Sequence, residues 1–214
     1  MWPDRAQIQP LGDSALLVRF GTTLDDAANR KAIGLASTLA AQPLAGVLEI
    51  VPSLVSVLVR YDPMAVDPQR LAGEISLRLQ RLSEAASGAE HTISVRFDGP
   101  DLAEVAGALG MSVDGFVAAH NAQPLRVLAT GFAPGFVYCG FHPETLVLPR
   151  RQTVRAKVTS GALLFAAGQT ALAATDIPTG WHWIGTTDFR NFDADAEPPT
   201  RLAAGDHLIF EAAA

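Results

Sequence analysis

Cysteine is almost absent from this chain of 214 residues, in which Cys139 is the single example. One cysteine excludes an internal disulfide and a metal site built from several thiolates. Cys139 lies between Tyr138 and Gly140 in an apolar loop, a setting that favours a buried structural residue over a nucleophile. The five histidines show no paired spacing of the kind that binds zinc. We therefore predict no metal site.

Motifs that bind a nucleotide or activate a nucleophile are also missing. The sequence contains no G-x-x-x-x-G-K-[ST] phosphate loop, no G-x-G-x-x-G dinucleotide fingerprint and no G-x-S-x-G nucleophile elbow. We therefore predict that this chain does not carry out difficult chemistry by itself.

Charged residues are sparse as well, at 18% of the chain, while 49% of residues are hydrophobic. The net charge of -6 argues against nucleic-acid binding, which needs a basic surface. High apolar content with low charge suggests that a partner protein covers part of the surface. The first five residues lack a signal-peptide pattern, and no apolar run approaches the roughly 20 residues that span a bilayer. We expect a cytoplasmic protein with no membrane partner.

The first third of the chain has the pattern of a small α+β domain. A strand is predicted over 15–20, and a helix follows it, with Thr23 as the N-cap and Asp26 at the capping-box position. Two runs rich in Val and Leu, 47–51 and 54–61, predict a hairpin. Nothing in this third indicates catalysis, so we interpret it as a scaffold or docking domain.

A second helix is predicted after the hairpin, because Asp67 precedes Pro68 as an N-cap precedes proline at the first helical position. The small and polar segment 83–90 resembles a linker. The order strand, helix, strand, strand, helix is the split βαβ pattern, with the predicted strand 91–97 as a further member. We place the boundary of this docking domain, 1–88, within the linker.

The remaining residues, 89–214, predict a β-barrel decorated by two short helices. Ser112 is the expected N-cap of the second of these helices, and His120 lies near its end. Short apolar runs punctuated by glycine then recur at spacings of about 10 residues, which is typical of barrels and sandwiches. A histidine in a last helical turn is favoured by the helix dipole alone, so a structural role for His120 competes with a role in a site.

The stretch 130–157, TGFAPGFVYCGFHPETLVLPRRQTVRAK, is the candidate site. Aromatic residues alternate there with glycines and prolines of a tight loop, and four cations follow. These cations are Arg150, Arg151, Arg155 and Lys157. Guanidinium groups suit carboxylate and phosphate, so the stretch predicts a pocket for a small anionic molecule. The alternative is a barrel corner packed with aromatics, with arginines on its solvated rim.

The motifs in their order resemble the family of 5-oxoprolinase B-type subunits, also called allophanate hydrolase subunit 1. They are GDSALLVRFG, SLVSVLVRYDP, DGPDLAEVA, GFAPGFVYCGF, LPRRQTVRAKVTSG, GQT, PTGWHWIGTT and AAGDHLIF, and they cover nearly the whole chain. The resemblance implies an α+β fold, with a small N-terminal ferredoxin-like domain and a C-terminal cyclophilin-like β-barrel.

The resemblance also implies an activity that depends on partners. Together with an A-type subunit and a cyclophilin-like C-type subunit, the complex is expected to open 5-oxoproline to glutamate at the expense of ATP, with or without Mg²⁺. The missing phosphate loop fits a nucleotide site that is shared or carried by a partner. Two alternatives stay open: a regulatory protein that inhibits a sensor histidine kinase, and a carboxyltransferase component of the urea amidolyase or allophanate hydrolase type.

The resemblance assigns roles to individual residues. His120, Arg150 and Arg155 are the expected catalytic residues, with the arginines on a carboxylate or phosphoryl group and His120 as the only plausible proton shuttle. Gln169 and Thr170 are expected to hold the lactam amide. The remaining substrate-binding residues form the G-F-x-P-G-F loop and an aromatic wall that excludes water. They are Phe132, Pro134, Gly135, Phe136 and Trp181.

The sequence departs from the family pattern at several positions. Cys139 stands where leucine is common, and Val154 replaces a frequent proline before the second arginine. Thr179 replaces the first glycine of a G-G-W motif, and Thr159 with Ser160 replaces proline-alanine. These departures indicate a divergent substrate or a weakened site.

Overall fold

The computed structural model describes residues 6–82 and 88–213. The chain divides into two compact units, Met1–Ser87 and Gly88–Ala214. Residues 83–87 of the predicted linker lie outside the described residues.

The described part of the first unit contains four strands and two helices. They are β1 (Gln7–Pro10), β2 (Ala15–Arg19), α1 (Asp26–Ala41), β3 (Val47–Pro52), β4 (Ser56–Tyr61) and α2 (Pro68–Leu79). The sheet is antiparallel throughout and has the order β1-β2-β4-β3. Because β4 lies between β2 and β3, the segment β2-α1-β3 is a split βαβ unit.

Alternation along β2 and β4 positions the core of this unit. Leu16 and Val18 of β2 face the same side as Val57 and Val59 of β4, and all four are buried. The two helices cover this face, with α2 contributing Ile75 to the same cluster.

Helix capping in the first unit confirms one prediction and corrects another. Asp67 caps α2 as predicted, and its carboxylate accepts hydrogen bonds from two backbone N–H groups of the first turn. The cap of α1 is Asp25, whose Oδ1 accepts from the Ala28 N–H at 2.9 Å. The predicted cap, Thr23, was wrong by two residues, because an aspartate nearer the first turn satisfies those N–H groups.

The second unit begins with β5 (Glu90–Val95), which corrects the split βαβ interpretation of residues 91–97. β5 pairs in parallel with β13 (His207–Ala212), near the far end of the chain, and takes no part in the first sheet. The edge of the first sheet that a strand after α2 would occupy is taken by β1.

Two helices and seven strands lie between β5 and β13 in the described part of the second unit. They are α3 (Leu102–Ala108), α4 (Val113–His120), β6 (Leu125–Thr130), β7 (Val137–Gly140), β8 (Arg155–Val158), β9 (Ala162–Ala166), β10 (Gln169–Leu172), β11 (Ile177–Thr179) and β12 (His182–Thr186). Ser112 caps α4 as predicted, and its hydroxyl accepts from the Gly115 N–H. Within the described residues, no single helix is long and apolar enough to cross a membrane, and α3 and α4 pass that test only as a pair bent by 87°.

Seven strands form one curled sheet in the order β12-β9-β10-β7-β6-β13-β5. The segment after β5 hydrogen-bonds to β12, with Arg96 and Thr186 exchanging two backbone hydrogen bonds of 2.8 Å, so the two edges of the sheet meet. β8 and β11 form a separate two-stranded ribbon.

The sheet of the second unit is buried on both faces. Leu163 and Phe165 of β9 belong to the inner cluster, which α3, α4 and β13 also line, whereas Leu164 of the same strand belongs to an outer cluster. The outer cluster also contains Phe136 and Trp181. Two-sided burial explains why β9 is an uninterrupted apolar run.

Candidate functional site

The loop between β6 and β7 has a tightly constrained backbone. Gly131 and Gly135 have φ values of +119° and +68°, which favour glycine. The Gly131 N–H donates to the Phe136 carbonyl at 3.0 Å and closes the loop. Phe132 has a φ of +77°, which is uncommon for a bulky residue, and its side chain is 69% exposed. The fold therefore holds an aromatic ring at the surface in a strained conformation.

Four aromatic side chains continue from this loop as a chain of ring contacts, which we call the aromatic ladder. They are Phe132, Phe136, Tyr138 and Trp181, and their successive ring centroids are 5.5, 4.8 and 5.9 Å apart. Arg150 completes the ladder, with its Cζ atom 5.7 Å from the Trp181 ring centroid. The ladder therefore joins an exposed ring at one end to a cation at the other.

Arg150 is set apart from the other cations of the predicted cluster. Arg151 and Arg155 each donate to Oδ1 of Asp101 at 2.7 Å, and Lys157 pairs with Asp176 at 2.7 Å. Arg155 shares its carboxylate with Arg151 in this structure, so the expected clamp of Arg150 and Arg155 on one anion stays a prediction. Arg150 stacks on Trp181 instead, and its side chain is exposed.

Gln169 lies on the outer face of the sheet, the face that carries the buried part of the ladder. Successive residues of a strand alternate in direction, and its neighbour Thr170 points inward. An added Cβ at Gly140, on the adjacent strand, would make an ordinary contact with Gln169 Cγ at 3.8 Å and would lie closer, at 2.9 Å, to Leu128 Cδ1. Gln169 is 5% exposed, and its Nε2 has no hydrogen-bond partner among the described residues. It is an unused donor of the outer face.

His120 and Thr170 occupy the interior. His120 is fully buried, and its Nε2 is 2.8 Å from Oγ1 of Thr170. His142 Nε2 lies at the same distance from that hydroxyl, so two histidines share one threonine. Both histidines use the Thr170 hydroxyl in this structure, and the expectation that Thr170 holds a lactam stays a prediction.

The hydrogen bonds of His120, Thr170 and His142 determine which ring nitrogen of each histidine carries a proton. The Nδ1 of His120 is 2.7 Å from the Asn121 Oδ1, an acceptor, so Nδ1 carries the proton. The Nε2 of neutral His120 then accepts from the Thr170 hydroxyl, which in turn accepts from the Nε2–H of His142. The Nδ1 of His142 is left as a buried acceptor without a partner among the described residues.

Burial keeps both histidines neutral. It lowers the pKa of His120 to about 4, against a smaller opposing effect of the Asn121 hydrogen bond. It lowers the pKa of His142 to about 3, and repulsion from the His120 ring, when that ring is protonated, acts in the same direction. The sequence predicts His120 as the only plausible proton shuttle, and the structure adds His142 to the same network.

Burial also determines the chemistry of two neighbouring residues. Cys139 has no exposed surface, and desolvation raises the pKa of its thiol well above the ordinary value, so no reactive thiolate forms there. The pKa of the Tyr138 phenol is raised by desolvation and lowered by the charge of Arg150. Among the described residues, no group of three His, Cys, Asp or Glu side chains could hold a metal ion.

Three residues of this arrangement, Tyr138, His142 and Asp101, are not among the predicted site residues. Tyr138 follows Phe136 at the two-residue spacing of a strand face, a signal that was available. Asp101 gave no local signal, since its arginine partners lie 50 and 54 residues further along the chain.

The first unit has a cleft of about 290 Å³ beside the start of α2, where Asp67, Arg70 and Glu74 line it with charges of both signs. None of the predicted site residues lies in this cleft.

The fold of this chain is shared with a known class of proteins. The Kluyveromyces lactis urea carboxylase aligns with 98% of this chain and 22% of its own, with a TM-score of 0.73 and 12% identity, which shows a common fold. The family described as "Carboxyltransferase domain, subdomain C and D" matches residues 6–202. The chain belongs to this family, as its motifs predicted.

Relatives cover nearly the whole chain. The B subunit of 5-oxoprolinase from Bacillus subtilis is 30% identical over 96% of this chain and 92% of its own length. The protein of that name from Escherichia coli O157:H7 is 32% identical over 96% and 95%. The crystal structure of TTHA0988 aligns at 34% identity with a TM-score of 0.84, covering 94% of this chain. This chain spans about 40% of the length of TTHA0988.

Proposed function

We propose that this chain is the B-type subunit of an ATP-dependent 5-oxoprolinase, which opens the lactam of 5-oxoproline to glutamate in a complex with an A-type and a C-type subunit. The reaction adds water across the ring C–N bond. The observation that carries the proposal is the aromatic ladder ending in Arg150, because it offers a cation and apolar walls to a small cyclic acid. The full-length relatives named as B subunits of 5-oxoprolinase support the same activity.

In this proposal each group has a defined task. Arg150 binds the substrate carboxylate through its guanidinium fork. Gln169 donates its unused Nε2–H to the lactam carbonyl. The rings of Phe136 and Trp181 exclude water, which strengthens both polar contacts. The exposed Phe132 and Pro134 contact the partner that closes the site.

We place the ATP site outside this group of residues. Three of the four clustered cations form ion pairs within the chain, and a single guanidinium on Trp181 is a poor match for a triphosphate with Mg²⁺. The nucleotide is then held by a partner or at a shared surface, in the cytoplasm where ATP is available.

We also propose that the two units, with a boundary at residue 88, are the ferredoxin-like and cyclophilin-like domains of the family. The split βαβ unit of the first sheet supports the former, and the meeting edges of the second sheet support the latter.

A second candidate function is transfer of a carboxyl group to a urea derivative, favoured by the fold likeness to urea carboxylase over 98% of the chain. ATP hydrolysis by the assembled complex that depends on urea, and not on 5-oxoproline, would establish this second function.

The proposal predicts that the purified chain alone has no 5-oxoprolinase activity, because it lacks a phosphate loop and its one cysteine is buried. Co-expression with candidate A-type and C-type partners should give one stable complex that releases glutamate from 5-oxoproline when ATP is present. Glutamate release is measured with and without ATP. Turnover by the isolated chain, or an inactive assembled complex, would refute the proposal.

Substitution of Arg150 by lysine should lower kcat/KM of the assembled complex about 10- to 100-fold. Lysine keeps the charge but loses the planar two-point contact with a carboxylate, which is worth on the order of 1.5–3 kcal/mol. Arg190→Lys is the matched control, because Arg190 is exposed and donates a hydrogen bond to Ser160 Oγ at 3.0 Å. Equal activity of both variants would show that Arg150 is only a solvated surface charge.

A further inference from the structure

Asp101 is a buried carboxylate whose position at the start of α3 is not used for capping. Its side chain makes no hydrogen bond to the first turn of the helix. Instead, Oδ1 accepts from Arg151 and Arg155, and Oδ2 accepts from the Trp183 N–H at 2.8 Å. Asp101 is 4% exposed, whereas the two arginine side chains are 24% and 28% exposed. One carboxylate therefore ties two arginines to the backbone of β12.

The residues on both sides of Arg150 are tied to the segment that leads into β12. The Arg151 N–H donates to the Gly180 carbonyl at 2.8 Å, and the Pro149 carbonyl is 3.1 Å from the Nε2 of His182. The Arg150 side chain, between these two anchors, lies over the ring of Trp181. Its orientation thus depends on how firmly Arg151 is held.

We propose that Asp101 is the positioning residue for Arg150: through Arg151 it fixes the segment 149–151 so that the Arg150 guanidinium stays on Trp181 at the end of the ladder. Small displacements of a binding group are costly in a site that works by orientation. The role of Arg150 toward substrate rests on the proposed function, whereas its placement by Asp101 does not.

The chain offers a matched pair of variants for the test. Arg151 and Arg155 bond to the same oxygen at the same distance, but only Arg151 adjoins Arg150. Arg151→Gln therefore cuts the link to Arg150. Arg155→Gln removes the same charge, together with the contact of Arg155 with the Trp183 ring at 6.0 Å, without cutting that link. Each variant keeps one arginine on Asp101, so the buried carboxylate stays neutralised and the fold is retained.

The first measurement uses the isolated chain and needs no activity. The Nε–H signal of Arg150 in a ¹H–¹⁵N spectrum is identified by its loss in Arg150→Lys, and its proton carries a ring-current shift from Trp181. We expect Asp101→Asn and Arg151→Gln to move this signal to the position of a free arginine, and Arg155→Gln to leave it in place. An unmoved signal in Arg151→Gln, or equal movement in both arginine variants, would overturn the proposal.

The second measurement uses the assembled complex and 5-oxoproline. Loss of the Asp101 charge alone would attract an anionic substrate more strongly and lower KM, whereas loss of positioning raises KM. We expect Asp101→Asn to raise KM about three- to tenfold with a smaller change in kcat. The exposed Asp176 is the control, since it also accepts from a cation and a backbone N–H, and Asp176→Asn should leave KM unchanged.

Combination with Arg150→Lys separates positioning from a general structural role. If Asp101 acts through Arg150, the double variant should be no slower than Arg150→Lys alone, because the two changes remove one interaction. If the losses of kcat/KM in the two single variants multiply in the double variant, or if Asp101→Asn lowers KM, the positioning role of Asp101 is refuted. A complex that is inactive before any substitution would refute the proposed function and leave the spectroscopic result intact.

Discussion

Substitution of Gly135 by alanine should destabilise the second unit by about 2–4 kcal/mol. An added Cβ would lie 2.6 Å from the Phe192 Cβ and 2.7 Å from the Ala174 Cβ, closer than carbon atoms approach without movement. The φ of +68° adds roughly 1–2 kcal/mol for a residue with a side chain. The free energy of unfolding is measured in denaturant, followed by fluorescence of Trp181 and Trp183.

Gly110→Ala is the control for this prediction. Gly110 has a φ of +69°, and an added Cβ there meets nothing within 4 Å, so only the conformational penalty applies. The difference between the two variants measures the clash. Equal losses of unfolding free energy in the two variants would show that the loop between β6 and β7 moves without cost. Gly135 would then not fix the position of the aromatic ladder.

The same substitution tests the link between loop and site. The Gly135 carbonyl accepts from the Asn191 side chain at 2.8 Å, so a shift of Gly135 also releases this tie. Phe136, the next residue, is the buried centre of the ladder. We therefore expect the assembled complex to lose activity in Gly135→Ala even at temperatures where the chain remains folded.

Local features of the fold could be predicted from the sequence because their signals lie within a few residues. Asp67 and Ser112 cap helices whose N–H groups are two or three residues away. The hairpin of β3 and β4 joins neighbouring segments. The glycines that shape the loop 130–136 lie within the loop itself, so its tight turn could be predicted. This loop does bring Phe132 and Phe136 into one chain of contacts with Trp181 and Arg150.

Long-range features could not be predicted, because nothing in the local pattern specifies a distant partner. β5 pairs with β13, more than 100 residues later, so the sequence pattern around β5 could not show that it belongs to the second sheet. The pairing of Arg155 with Asp101 could not be predicted for the same reason. Neither could the contact of Thr170 with two histidines. The proximity of Arg150 and Arg155 in sequence predicts a shared anion, but it could not show that Arg155 pairs with the distant Asp101.

The high apolar content has a physical explanation within the chain. It suggested an apolar surface covered by a partner, but the sheet of the second unit buries side chains on both faces. β9 therefore needs an apolar residue at every position. The high apolar content therefore reflects this two-sided burial within the chain.

Acidification should destabilise the second unit steeply between pH 6.5 and pH 4.5. The unfolded chain binds protons on His120 and His142 near pH 6.5, whereas burial lowers their folded pKa values to about 4 and about 3. Stability is therefore complete above pH 6.5 and falls as pH decreases toward the folded values. Each histidine contributes a slope of about 1.4 kcal/mol per pH unit, so two remove about 5 kcal/mol over this range.

The measurement is the free energy of unfolding of the isolated chain at several pH values, for the parent and for His142→Phe. Phenylalanine suits this site, because the His142 ring already packs edge-on against Phe165 at 5.4 Å. Removing one of the two titrating groups should halve the slope, whatever the variant costs at pH 7. Asp188→Asn is the control. Arg96 lowers the pKa of this exposed carboxyl, so removing it should change the pH dependence of stability only below pH 4.5. A slope unchanged by His142→Phe would mean that the histidine trio is not what makes the unit sensitive to acid.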